Sequence, residues 1–143
     1  MSIWFRQPTL EQLNALSANT LVSHLDMRFI EIGDDFLRGT MPVDARTHQP
    51  YGVLHGGASV ALAETLASTA ASCCVDPARY LCLGQEINAN HLRAVTSGLV
   101  TGTTRPYHIG ARSQVWGIEI RDAAGHLSCI SRITMATVER RQV

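Results

Sequence analysis

The sequence predicts an α+β domain in which one antiparallel sheet packs on one long helix. Residues 55 to 75 are the only long helical candidate, with Ala at 58, 61, 63, 67, 70 and 71 as strong helix formers. Strand-like runs lie in series before and after it, a hairpin first and about four strands later, instead of alternating with further helices. The helix is also poor in bulky side chains, so a curved sheet can approach it closely on several sides, although ordinary helices are often Ala-rich too.

Taken in order, Thr9-Leu10-Glu11-Gln12 fits a capping box that opens a short helix to Ser17, and another turn is expected over Thr20 to Leu25. Met27 to Ile32 reads as a strand, Gly33-Asp34-Asp35 as a turn, and Phe36 to Val43 as the antiparallel partner. Residues 44 to 54 form a loop, and Asp76-Pro77 ends the long helix. Strands are expected at Leu81 to Val95, Leu99 to Thr104, Gln114 to Arg121 and Leu127 to Val138, with turns at Thr96-Ser97-Gly98 and Asp122-Ala123-Ala124-Gly125.

A chain of 143 residues fits one domain, residues 1 to 143, and can bury a core without disulfides or metals. Its formal charge is zero, which argues against a broad basic surface for nucleic acid or anionic membrane. All 12 basic residues are Arg, which suits phosphate groups but also arises from composition alone. No run reaches the ~18 apolar residues of a membrane span, so a cytoplasmic protein is expected. Cys73, Cys74, Cys82 and Cys129 lack metal or disulfide-scaffold spacing, and the His residues include no HExxH pattern; no metal site is expected.

The chemistry concentrates in Gln49-Pro50-Tyr51-Gly52-Val53-Leu54-His55-Gly56-Gly57-Ala58-Ser59 and the helix it enters. A Gly-rich loop running into a helix leaves the first backbone N–H groups free at the positive end of the macrodipole, where they can stabilise an oxyanion. Glu64, among small and apolar residues, is costly to bury without a partner or a task, the plain alternative being a polar position on a solvated or ion-paired face. Gly56 and Glu64 are eight positions apart, ~12 Å along the axis, too far to meet one carbonyl. Two antiparallel copies of the helix about a two-fold axis would bring Gly56 of one chain to Glu64 of the other, so a homodimer with shared sites is expected.

Ser68 lies one turn beyond Glu64, placed either to orient the carboxylate or a water, or to bond back to a helix carbonyl. His55 either orients a bound carbonyl or caps the helix. Gln49 offers an amide suited to holding a thioester, or a solvated loop side chain.

Together, Gln49, His55-Gly56-Gly57, Glu64 and Ser68 resemble the hotdog-fold thioesterases of the 4-hydroxybenzoyl-CoA class whose catalytic Glu lies on the central helix. The nearer likeness is to bacterial enzymes of menaquinone and enterobactin biosynthesis. Met41-Pro42-Val43-Asp44, Glu86-Ile87-Asn88-Ala89-Asn90-His91 and Gln114-Val115-Trp116 support it, from Trp4 to about Val138.

The resemblance implies a hotdog fold, a curved antiparallel sheet wrapped around the helix, in a dimer whose sheets join and a homotetramer of two dimers. It implies hydrolysis of an acyl-CoA or acyl-carrier-protein thioester, with an aromatic or medium-chain acyl group. CoA is then part of the substrate, and no separate cofactor is expected. It makes Glu64 the nucleophile or general base and Gly56 the N–H donor to the thioester oxygen. Gln49 and His55 would position the carbonyl and Ser68 would assist. His91 and Arg93 resemble positions near the substrate entrance, and Arg105, His108, Gly110 and Arg112 a CoA-facing loop. Alternatives are a hotdog dehydratase or hydratase acting on the acyl chain, and an acyl-CoA-binding module without turnover.

Overall fold

The computed structural model describes residues 1–140. Thr9 and Gln12 bond each other's backbone at 3.2 Å as a capping box, opening helix α1 (Leu10–Leu16), and Thr20 caps the single turn α2 (Leu21–His24). Strands β1 (Arg28–Ile32) and β2 (Leu37–Pro42) form the hairpin, and α3 (Gly56–Cys73) is the long helix. Then follow β3 (Tyr80–His91), β4 (Leu99–Ile109), β5 (Ser113–Arg121) and β6 (Leu127–Glu139). The strands make one antiparallel sheet in the order β1-β2-β4-β5-β6-β3. Its concave face holds α3, the hotdog arrangement expected from the sequence.

Close approach of sheet and helix follows from missing side chains on both. The helix buries Ser59, Leu62, Ala63, Leu66, Ala67, Ala70 and Ala71. Facing it, Gly39 of β2 and Gly102 of β4 are direct cross-strand partners, and Leu66 enters the space between them. A Cβ on Gly39 would lie 2.8 Å from both the Arg28 carbonyl oxygen and Leu66 Cδ2; one on Gly102 would lie 2.6 Å from Leu66 Cδ1. Gly39→Ala is therefore expected to cost about 1–3 kcal/mol, because a fixed carbonyl and a core Leu must both give way. Urea unfolding measures it, and an unchanged midpoint would show that the sheet has slack there.

A buried polar bridge ties helix to sheet. The Trp116 indole N–H donates to Gln114 Oε1 at 2.9 Å, and Gln114 Nε2 donates to the Ala71 carbonyl at 3.3 Å. The pair is fully buried in the first half of β5, so each polar atom brought into the core carries its own partner.

Two strand boundaries differ from expectation. β3 stops at His91 instead of Val95: Leu92 and Arg93 N–H both donate to the Ser128 carbonyl, and the chain then leaves the sheet. β4 runs on to Ile109, so Arg105 and His108 are strand residues rather than loop residues, and only Gly110 and Arg112 lie in the connection to β5. The resemblance implied a loop here, but β2 begins opposite Thr104, leaving the following part of β4 without a neighbour on that side. A proline lacking its N–H is tolerated on such an open side, and a bulge between Pro106 and His108 absorbs the misfit.

At the other end of the sheet, β3 is a 12-residue edge with Leu81 and Leu83 exposed. Among the described residues no helix is long and apolar enough to cross a membrane.

Candidate active site

Residues 44–54 are fixed from both ends before they reach the helix. Arg46 bonds Asp44 through its backbone and its guanidinium, holding that carboxyl down at about 2. Buried Thr47 donates its hydroxyl to the Pro42 carbonyl at 2.8 Å, and its own carbonyl accepts the His55 N–H at 2.8 Å. The chain thus enters α3 in a set direction.

At the first turn of α3, Gly57 N–H donates to His55 Nδ1 at 2.8 Å, and Ala58 and Ser59 N–H donate to the His55 carbonyl. Among the described residues Gly56 N–H alone in this turn has no acceptor. It opens on a cavity of about 340 Å³ lined also by Gln49, Ser59, His91, Arg93 and Ser128. Gln49 Oε1 accepts the Tyr51 N–H at 2.6 Å, which turns the amide Nε2 into the remaining donor. Two residues with unengaged N–H donors therefore line one cavity at a helix N-terminus, an arrangement suited to polarising a carbonyl.

His55 is the helix cap, and its ring lines a separate, smaller hollow with Leu21, Leu25 and His48. His91 takes the place beside Gly56 instead, its Nε2 2.8 Å from where a Gly56 Cβ would stand. A side chain at 56 would have to displace that exposed ring.

Glu64 is half-buried on α3 and has no hydrogen bond or ion pair among the described residues. Loss of water around it raises its pKa above the usual glutamate value. Its carboxylate rests against Gly84 of β3 and does not line the Gly56 cavity. Ser68 makes no back-bond; that bond belongs to Thr65, which donates to the Ala61 carbonyl at 2.7 Å. Ser68 lines a third cavity of about 820 Å³ between the second half of α3 and the N-terminal arm, with Phe5, Leu13, Leu16 and Cys73.

Residues 51–129 match the model of the thioesterase superfamily. That span carries the Gly56 turn and Glu64. The chain belongs to the thioesterase superfamily. Among relatives of this thioesterase, the 1,4-dihydroxy-2-naphthoyl-CoA hydrolase of Escherichia coli is 53% identical, the match covering 94% of this chain and 98% of that protein. The proofreading thioesterase EntH of Cronobacter turicensis is 51% identical over 95% and 98% of the two chains. The crystal structure of a mutant thioesterase from Pseudomonas aeruginosa superposes with a TM-score of 0.96 at 50% identity, covering 97% of this chain and 100% of that one. The protein is a thioester hydrolase, and dehydratase chemistry is not favoured.

The remaining sequence candidates of this thioesterase divide by position. His91 and Arg93 line the Gly56 cavity. Arg105 is ion-paired with Asp35 and lies over the Phe36 ring at 4.5 Å. His108, Gly110 and Arg112 lie at the far end of β4 and the turn after it, and none lines that cavity. Sequence reasoning missed Ser59, buried on the cavity wall, and Gly84 beneath Glu64. An isolated Gly inside the strand-like run from Leu81 was the available signal for Gly84. Ser59 had none beyond following the Gly pair.

Proposed function

We propose that this thioesterase hydrolyses aromatic or medium-chain acyl thioesters of CoA, or of a carrier-protein pantetheine, at sites shared by two chains. The observation that carries the reading is the separation of donor and acid. Gly56 N–H and Gln49 face one cavity, while Glu64, without a partner of its own, lies farther along the helix on the side of the open β3 edge. A second copy joined along β3 would supply Glu64 to the first copy's Gly56 and the reverse, giving two equivalent sites. A twelve-residue edge with exposed Leu is a surface that soluble proteins normally cover. Pairing two such dimers gives the homotetramer.

In this reading the thioester oxygen accepts from Gly56 N–H and Gln49 Nε2, which stabilises negative charge as it develops. Glu64 either attacks the carbonyl carbon, expelling thiolate and forming a mixed anhydride that water cleaves, or removes a proton from an attacking water. Ser68, one turn on, holds the carboxylate or the water. His55 acts through the cap that fixes Gly56. Arg93, exposed on the cavity rim, is suited to a CoA phosphate, and Arg105 is already engaged. The larger cavity beside Ser68, walled by Phe5, Leu13 and Leu16, has room and apolar surface for an aromatic or medium-chain acyl group. The substrate of the Escherichia coli relative points the same way. No cofactor enters these steps, since CoA is part of the substrate. The four cysteines are unpaired, in keeping with a reducing cytoplasm.

Thiol release across aryl-CoA, short and medium acyl-CoA and acylated carrier protein, compared by kcat/KM, tests the substrate class. Benzoyl-CoA and medium-chain esters should exceed acetyl-CoA by at least tenfold, the effect of burying roughly two further methylene groups. Equal values across the panel would remove the case for a shaped acyl cavity. Gln49→Ala should lower kcat/KM by about 10- to 100-fold, less than loss of Glu64, because one of two donors remains. A larger loss than that of Glu64→Ala would make Gln49, not Glu64, the centre of the chemistry.

A further inference from the structure

We propose that Gly84 is a positioning residue for Glu64: its bare Cα on β3 is the seat that fixes where the carboxylate stands. The inference rests on the reading of Glu64 as the reacting acid. An ideal Cβ at Gly84 would lie 2.7 Å from Glu64 Oε1, 3.5 Å from Cδ and 3.7 Å from Oε2, so the whole carboxylate head lies against this one position. No hydrogen bond or ion pair among the described residues holds Glu64. Its carboxylate is therefore placed by packing, and Gly84 forms one wall of that packing.

The strand is shaped for this. β3 and β6 pair in register up to Gly84 with Met135 and resume at Glu86 with Thr134, so Gln85 is an extra residue in a bulge beside the seat. Bulges bend a strand and redirect what lies against it. The glycine is not required by backbone conformation, because Gly84 is not among the residues with positive φ. What requires it is the space that the carboxylate occupies.

Gly84 differs in kind from Gly39 and Gly102, whose missing side chains admit core Leu66. At Gly84 a methyl group would meet the tip of a flexible, half-buried side chain, which can swing aside at little cost to folding. Oε1 would have to withdraw 0.7 Å to reach the 3.4 Å at which ordinary contact begins. Misplacing a reacting group by about 1 Å can cost on the order of 100-fold in rate.

The test is benzoyl-CoA hydrolysis by full-length Gly84→Ala, Glu64→Asp, the double variant and Glu64→Gln, each with its Tm. Gly84→Ala should lower kcat by about 10- to 100-fold with KM changed less than threefold and Tm unchanged or raised. In the Glu64→Asp background, where the carboxylate is one methylene shorter and withdrawn from β3, the added methyl should have almost no further effect. Full activity of Gly84→Ala overturns the proposal. So does a fall in Tm that accompanies the loss, or an equal loss in both backgrounds, since each marks a general structural role. Glu64→Gln separates the premise from the inference: if it remains active, the reading of Glu64 fails and the seat has no function; if it is inactive while Gly84→Ala is normal, only the seat is wrong.

Discussion

Glu64→Gln is expected to lower kcat/KM by about 10²- to 10⁴-fold while raising Tm at neutral pH. The two effects share one cause. Glu64 is half-buried without a partner, and lost hydration lifts its pKa above the ordinary 4.5. Between the unfolded value and the raised folded value the native state binds more protons than the unfolded chain, so stability falls as pH rises through that interval. At neutral pH the full penalty of a desolvated carboxylate is present, and the neutral amide removes it. The Tm advantage of Glu64→Gln should therefore be largest at pH 7 and vanish below the ordinary glutamate range. Wild-type kcat/KM should fall in acid with a midpoint above 4.5, the limb that Glu64→Gln lacks. Thermal unfolding at several pH values, alongside thiol-release kinetics, measures both. A folded variant with near-normal turnover would remove Glu64 from the mechanism, and a lower Tm at pH 7 would mean that the carboxylate has a stabilising partner.

Such an acid is recognisable in sequence because burial and charge are in conflict, and the conflict shows in residue types alone. Glu64 among Ala and Leu, and the Gly pair where a loop becomes a helix, need no tertiary information to stand out. The cap at Thr9 is equally local and forms as the spacing predicts, and the turn expected from Thr20 opens on a Thr20 cap. What the sequence does not contain is which neighbour a strand has. β4 continues through Pro106 because β2 does not extend beside it past Thr104, and β3 stops at His91 because the next two N–H groups go to Ser128. Both facts depend on residues far away in the chain. The same limit applies to the site. Residue type alone leaves His55 as either a carbonyl-orienting group or a cap; its ring accepts the Gly57 N–H as a cap, and the imidazole beside Gly56 comes from β3 as His91. Arg105 loses its freedom to Asp35 and Phe36, seventy residues earlier on the hairpin.

Mixing two inactive variants should restore activity if each site draws on two chains. Gly56→Ala drives a methyl into the His91 ring, 2.8 Å away, and disturbs the donor end; Glu64→Ala removes the acid. Each alone should be nearly inactive. When the two chains are co-expressed and assort at random, half the dimers are hybrids, and in each hybrid one site combines an intact Gly56 turn with an intact Glu64. About a quarter of wild-type activity should return. A chain carrying both substitutions behaves oppositely. Paired with a wild-type chain it spoils both sites, because the wild-type Gly56 faces the missing acid and the wild-type Glu64 faces the damaged turn. Such hybrids, isolated through two different affinity tags, should be inactive, whereas sites contained within one chain would leave them about half active. Recovery no greater than the summed residual activities, together with half-active hybrids of the second kind, would place Gly56 and Glu64 in the same chain's site. The ~12 Å of helix between them would then have to be crossed by substrate, which one thioester carbonyl cannot do.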